Sequence, residues 1–150
     1  MYTYAVPQVD RVSFVSLVQT DVLHAEVVHT SQLRARVEQC LHSREPLAIV
    51  QAVSEYLPYL LGLYDCVLRD TILLRDDVHL TWHSMLVSSK FRLHGLLSEV
   101  CLMHMLYACS LRAEAATIVE ALGAYELGAH DRKACDDRLR VAIDLLCRAS

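Results

Sequence analysis

Residues 80–115 read LTWHSMLVSSKFRLHGLLSEVCLMHMLYACSLRAEA, and this stretch decides the fold class. From Leu96 to Ala115 large apolar residues recur at helical spacing, and Glu99 is the one carboxylate before Glu114. Apolar residues at i, i+3, i+4 and i+7 give a helix one continuous face that other helices must cover. The spacing predicts a long helix over roughly 92–127, with Leu96, Leu97, Val100, Met103, Tyr107, Leu111, Ala115, Ile118 and Leu122 on one broad face and Gly128 as its stop. Ahead of it, Thr81 is read as the cap of a short helix from Trp82 to about Val87.

Towards the N-terminus, Tyr2–Phe14 alternates weakly and Pro7 bars a central strand, so a short edge strand or hairpin is expected. Phe14, Leu17, Val18, Val22 and Ala25 predict a helix over roughly residues 13–29. Thr30 or Ser31 caps the next, which carries Leu33, Val37 and Leu41 and ends near His42. Glu45-Pro46 opens a third, with Pro in its first turn. That helix carries Leu47, Ile49, Val50, Val53 and Leu57, is disturbed by Pro58 and Gly62, and runs on through Leu63, Val67 and Leu74. Towards the C-terminus, Asp131 caps a last helix with Ala134, Leu139, Ala142 and Leu146. It lacks a Gly or Pro stop and reads as interrupted rather than finished.

Composition sets the class. A chain of 150 residues suits one domain, taken here as 1–150. Four Gly and three Pro are too few for a turn-rich all-β fold. An apolar share of 54% and a mean hydropathy of +0.28 leave more apolar surface than one small helical body needs. Self-association into a homo-oligomer, or membership of a larger helical body, would cover the surplus. Fourteen basic and eighteen acidic residues give −4, dispersed, with no basic stripe for nucleic acid. The longest charge-free apolar run, Val100–Leu111, falls short of the ~20 residues of a transmembrane helix. The first ten residues, MYTYAVPQVD, carry no secretory signal pattern, so a cytosolic location is expected.

No constellation of residues carries recognisable chemistry. Cys40, Cys66, Cys101, Cys109, Cys135 and Cys147 lack a C-x-x-C pair, and most fall at apolar helical positions, so they are read as core filler. His24 and His29 stand at i and i+5, about 140° apart on a helix and so unfit to share a metal. His79 and His83 flank the expected helix start at Thr81, and Cys101 with His104 is half a zinc site without its second half. There is no G-x-S-x-G elbow, S-x-x-K or phosphate loop. No enzyme activity, cofactor or metal is therefore expected. Glu99 is read as a structural carboxylate, paired with an Arg or a backbone donor of a neighbouring helix. Tyr56, Tyr59 and Tyr64 surround Pro58 and are the candidates for lining a partner groove, with internal packing as the competing explanation.

Taken in order, these segments resemble the BRO-one domain of the Alix family, the helical scaffold of ESCRT-associated proteins. VPQVDRVSF at 6–14 is similar to that family's opening segment, and EYLPYLLGL at 55–63 to its "YLPQL"-like stretch. LTWHSML at 80–86 resembles its F-x-W-x-(D/S)-x-L segment, with Trp82 on the tryptophan. Glu99, Tyr107-Ala108 and Ala115 fit its E-L-x-x-V-L-Y-x-Y-A helix, although Leu106 stands where Asn is common and His104 where an aliphatic residue is. Lys133-Ala134 through Ala142, Leu146 and Ala149-Ser150 is similar to its K-A-x(n)-A-A-G-V-F helix, up to the Gly-Val-Phe.

The resemblance implies a mainly α fold of tetratricopeptide-like antiparallel helix pairs with a short N-terminal β strand or hairpin. It implies a non-enzymatic adaptor in endosomal sorting and membrane remodelling, recruited from the cytoplasm to endosomal membranes. The partner it implies is the amphipathic helix of an ESCRT-III subunit, or the missing helices of the same domain. That family's domain is more than twice as long as this chain, which corresponds to its N-terminal portion. The family's groove lies on later helices, so the resemblance transfers no binding residue.

Overall fold

In the computed structural model the described residues are 8–10, 12–19, 22–75, 78–83, 90–123 and 132–149. In chain order the elements are β1 (Gln8–Val9), α1 (Phe14–Leu17), β2 (Val18–Gln19), α2 (His24–Ser43), α3 (Pro46–Leu68), β3 (Leu73–Leu74), β4 (His79–His83), β5 (Lys90–His94), α4 (Leu96–Gly123) and α5 (Arg132–Ala149). The fold is mainly helical. Each long helix packs on the next in sequence: α2 on α3, α3 on α4, α4 on α5. Only Arg44 and Glu45 join α2 to α3, with Arg44 in the left-handed region at φ 57°, so the chain must reverse there.

Two antiparallel β units sit beside the helices. β1 is the edge of a three-stranded sheet in the order β1-β4-β5, as Pro7 led us to expect, and β2 pairs with β3. The expected short helix at 82–87 is contradicted at Trp82 and His83, which lie in β4; residues 84–89 are outside the described residues. The reason is visible in the alternation of HLTWH. Leu80 and Trp82 point into the core at 1% and 3% exposure, while Thr81 and His79 do not. His79 and His83 thus belong to one strand rather than flanking a helix start.

The long helix begins later than expected, at Leu96, because Lys90–His94 pairs with β4. Gly95 makes the turn between them at φ +83°, a conformation that side chains with a Cβ rarely adopt. Leu97, placed on the inner face, is exposed, and Leu106 takes a fully buried position instead. The end expected near Leu127, the Gly128 stop and the Asp131 cap lie outside the described residues.

Two more boundaries move. The helices expected over 13–29 and from Thr30 or Ser31 onwards are replaced by the short α1, strand β2 and one helix, α2. Val18 pairs with Leu74, which pulls residues 18–19 out of helical geometry, and Val22 is exposed. Thr30 and Ser31 lie inside α2, where their hydroxyls donate to the carbonyls of Glu26 (2.7 Å) and Val27 (3.0 Å). Helix α3 runs through Pro58 and ends at Leu68, so Leu74 belongs to β3. Pro58 and Ser54 are both exposed, so water can satisfy the carbonyl that Pro58 leaves without its helical donor.

One core joins α1, α2, α3, the strands and the first half of α4, around Phe14, Val37, Val53, Leu60, Met103 and Leu106. A second, smaller cluster joins Leu111 and Ala115 of α4 to Ala142 and Leu145 of α5. Ala134, Leu139 and Leu146, expected inward on α5, are exposed instead. Of the six cysteines, Cys40 and Cys66 pack half-buried against the main core, Cys109 and Cys135 are half-buried, and Cys101 and Cys147 are exposed, so none is fully buried. α3 is by length and composition apolar enough to cross a membrane. Here its inner stripe, Ile49, Val53, Tyr56, Leu60 and Leu63, is part of the core.

Candidate protein-docking groove

The three tyrosines part company in the fold. Tyr56 is fully buried, and its hydroxyl donates to Glu99 Oε1 at 3.4 Å. Tyr64 is half-buried against the main core. Tyr59, one turn from Tyr56 on the outer side of α3, is 44% exposed. Helical spacing alone sorts them, since residues 56, 60 and 63 share the inner stripe and 59 stands at its edge. Tyr56 is thus a core residue, and Tyr59 alone remains as a groove-lining aromatic.

Tyr59 borders a cavity of about 230 Å³ open to solvent between the start of α2 and the second half of α3. Val27, Leu63 and Ile72 are its buried floor, and Pro58, Tyr59 and Gly62 form the α3 wall. A Cβ added at Gly62 would meet nothing within 4 Å, so this position leaves the wall open. The rim is polar at one end, where Glu26 is exposed. His29 holds Tyr59 from the α2 side, their rings edge to face with centroids 4.7 Å apart. Sequence reasoning missed Val27, Gly62 and Ile72 because they come from three separate segments. The one local signal was a Gly one turn after a Pro on an apolar helix.

Behind the groove lies a buried polar cluster. Arg34 Nε donates to Glu99 Oε1 at 2.5 Å, with the two side chains 1% and 0% exposed. Arg34 Nη2 also donates to the Asp10 carbonyl at 3.3 Å, which ties α2 to the start of the sheet. The expectation that Glu99 pairs with an Arg of a neighbouring helix holds. Burial pushes the Tyr56 hydroxyl well above the ordinary tyrosine range, and the negative charge of Glu99 adds to the effect while Arg34 opposes it. Arg34 of α2 and Tyr56 of α3 both donate to Oε1 of Glu99 on α4, an arrangement suited to joining the three helices. Among the described residues no three His, Cys, Asp or Glu side chains gather as a metal cluster.

The chain is 27% identical to the pH-response regulator protein palC of Cryptococcus neoformans over an alignment of 174 residues, which takes in 99% of this chain and 36% of that protein. It therefore spans about a third of that relative's length. No family model matches the chain. No solved structure matches it either.

Proposed function

We propose that this chain is the N-terminal portion of a BRO-type helical scaffold, a non-enzymatic adaptor that works at endosomal membranes. Its partner in this reading is the amphipathic helix of an ESCRT-III subunit, and its role is in endosomal sorting or membrane remodelling. The observation that carries the docking role is the groove between α2 and α3, a site separate from the later-helix groove of the resembled family: an apolar floor, an exposed aromatic wall residue and one acidic rim residue. An amphipathic helix lays residues i, i+3, i+4 and i+7 into such a groove. Exposed Glu26 selects a helix with a Lys or Arg flanking its apolar face. The order of the segments from residue 6 to residue 149 supports the family reading. The likeness to palC supports a setting in a pH-response pathway.

The test is anisotropy of a labelled ESCRT-III amphipathic-helix peptide titrated with the wild-type chain, Tyr59→Ala and Gly62→Phe. Truncating an exposed aromatic anchor should weaken binding about tenfold. Gly62→Phe should block the groove without a lower thermal midpoint, since the site has open space at its Cβ. Equal affinity in all three proteins would move the partner surface elsewhere.

A second reading rests on α5. Leu139, Ile143 and Leu146 form an exposed stripe at i, i+4 and i+7, next to the buried Ala142 and Leu145. Half of that helix's apolar face is therefore open, and a second copy of the chain is the occupant it favours.

A further inference from the structure

Across the hairpin, β4 and β5 set His79 opposite His94. The next pair along is hydrogen-bonded, with Gly95 N–H donating to the Val78 carbonyl at 2.9 Å. His79 and His94 are thus the pair without backbone bonds between them, the kind in which facing side chains come closest. Their rings are both exposed, centroids 4.7 Å apart and edge to face, with Nδ1 to Nδ1 at 2.9 Å. The backbone beneath them is held on two sides: Gly95 is fixed to Val78, and Ser98 Oγ donates to the His94 carbonyl at 2.7 Å. Sequence reading missed the pair because fifteen residues separate the two histidines, and only strand register joins them.

We infer that the juxtaposed imidazoles of His79 and His94 form a two-histidine chelating site for a divalent transition-metal ion such as nickel(II) or copper(II). Imidazole nitrogens bind such ions at about 2.0–2.1 Å, and two ligands at a right angle are then roughly 2.9 Å apart, against roughly 3.3 Å across a tetrahedral edge. The observed 2.9 Å is the length of the hydrogen bond between the two Nδ1 atoms, and it already holds them within the span that one ion needs. In the free protein one Nδ1–H donates to the other Nδ1. On binding, that proton leaves for the outer Nε2 through solvent, and both exposed rings turn their Nδ1 lone pairs onto one ion. Water completes the coordination shell. Arg92 stands two positions away on the same face of β5, and solvent at this exposed site screens its charge. The ion would clip the two strands together, and the proposal is independent of the groove.

Nickel(II) is the probe, because the thiols of the chain would reduce copper(II). Trp82, the one tryptophan of the sequence, lies three residues along β4 from His79 and reports a paramagnetic ion by quenching. The full chain is titrated with nickel(II) as wild type, His79→Ala and His94→Ala, with thermal midpoints taken with and without the ion. The expected result is saturable one-site quenching in the wild type, weakened in each variant by more than the roughly tenfold that loss of an outer-shell partner costs. The ion should raise the midpoint of the wild type alone. Wild-type affinity in both variants, an effect confined to one of them, or no saturable quenching in the wild type would each overturn the proposal.

Discussion

Glu99 takes its importance from where its charge is held. Arg34 and Glu99 are both fully buried, so their mutual attraction must offset the desolvation of two ions. Removing one member leaves the other charge buried alone. Glu99→Gln should therefore lower stability by about 3–5 kcal/mol in denaturant unfolding, while replacing Arg34 and Glu99 together with apolar residues of similar volume should cost far less. A drop below 1 kcal/mol for the single change would mean that Arg34 reaches water. Tyr56 gives the cluster a pH signature with a definite sign. Its folded-state pKa lies above the ordinary 10.0, so above that pH the unfolded chain loses a proton that the native chain keeps. Stability is thus fully present below pH 10 and falls as pH rises beyond it, with a limiting slope of about 1.4 kcal/mol per pH unit. Melting curves taken from neutral pH to above 10 should show this alkaline loss in the wild type and a shallower one in Tyr56→Phe. Parallel curves would remove Tyr56 from the account.

Among the elements, those defined by local chemistry were legible and those defined by pairing were not. Helix α3 could be read from Pro46 at its first turn and from the helical spacing of Ile49, Val53, Leu57 and Leu63. The edge strand at Gln8–Val9 followed from Pro7. By contrast, residues 13–23 and 79–94 hold apolar spacings that suit a helix equally well. Their strands arise because Val18 meets Leu74 and Trp82 meets Phe91, contacts that no local window contains. At the candidate site the same division holds. Tyr59 could be named from its place beside Pro58, whereas the Val27 and Ile72 floor needed α2 and the segment after α3 to be brought together. On α5 the helix and its inward Ala142 were legible, but the rest of its orientation was not. It turns Ala142 and Leu145 towards α4, where they pack with Leu111 and Ala115.

Over the whole molecule, the surplus of apolar residues noted in the composition has an address. Most of α4 is covered on one side by α3 and on the other by α5, while α5 carries Leu139, Ile143 and Leu146 outward. A stripe of this kind on an outermost helix calls for another helix against it. In sedimentation, the 150-residue chain should self-associate, and a Leu139→Lys/Ile143→Lys variant should return to a 17.0 kDa monomer with its thermal midpoint kept. A wild type that stays monomeric at high concentration would exclude the second copy as the occupant. The buried ion pair has a consequence in time as well. Arg34 is synthesised 65 residues before Glu99, a delay of roughly 3–13 s at 5–20 residues per second. Through that interval the nascent chain lacks Glu99, the carboxylate with which Arg34 is buried in the finished fold. Helix α2 therefore cannot bury Arg34 as the finished fold does until α4 has left the ribosome.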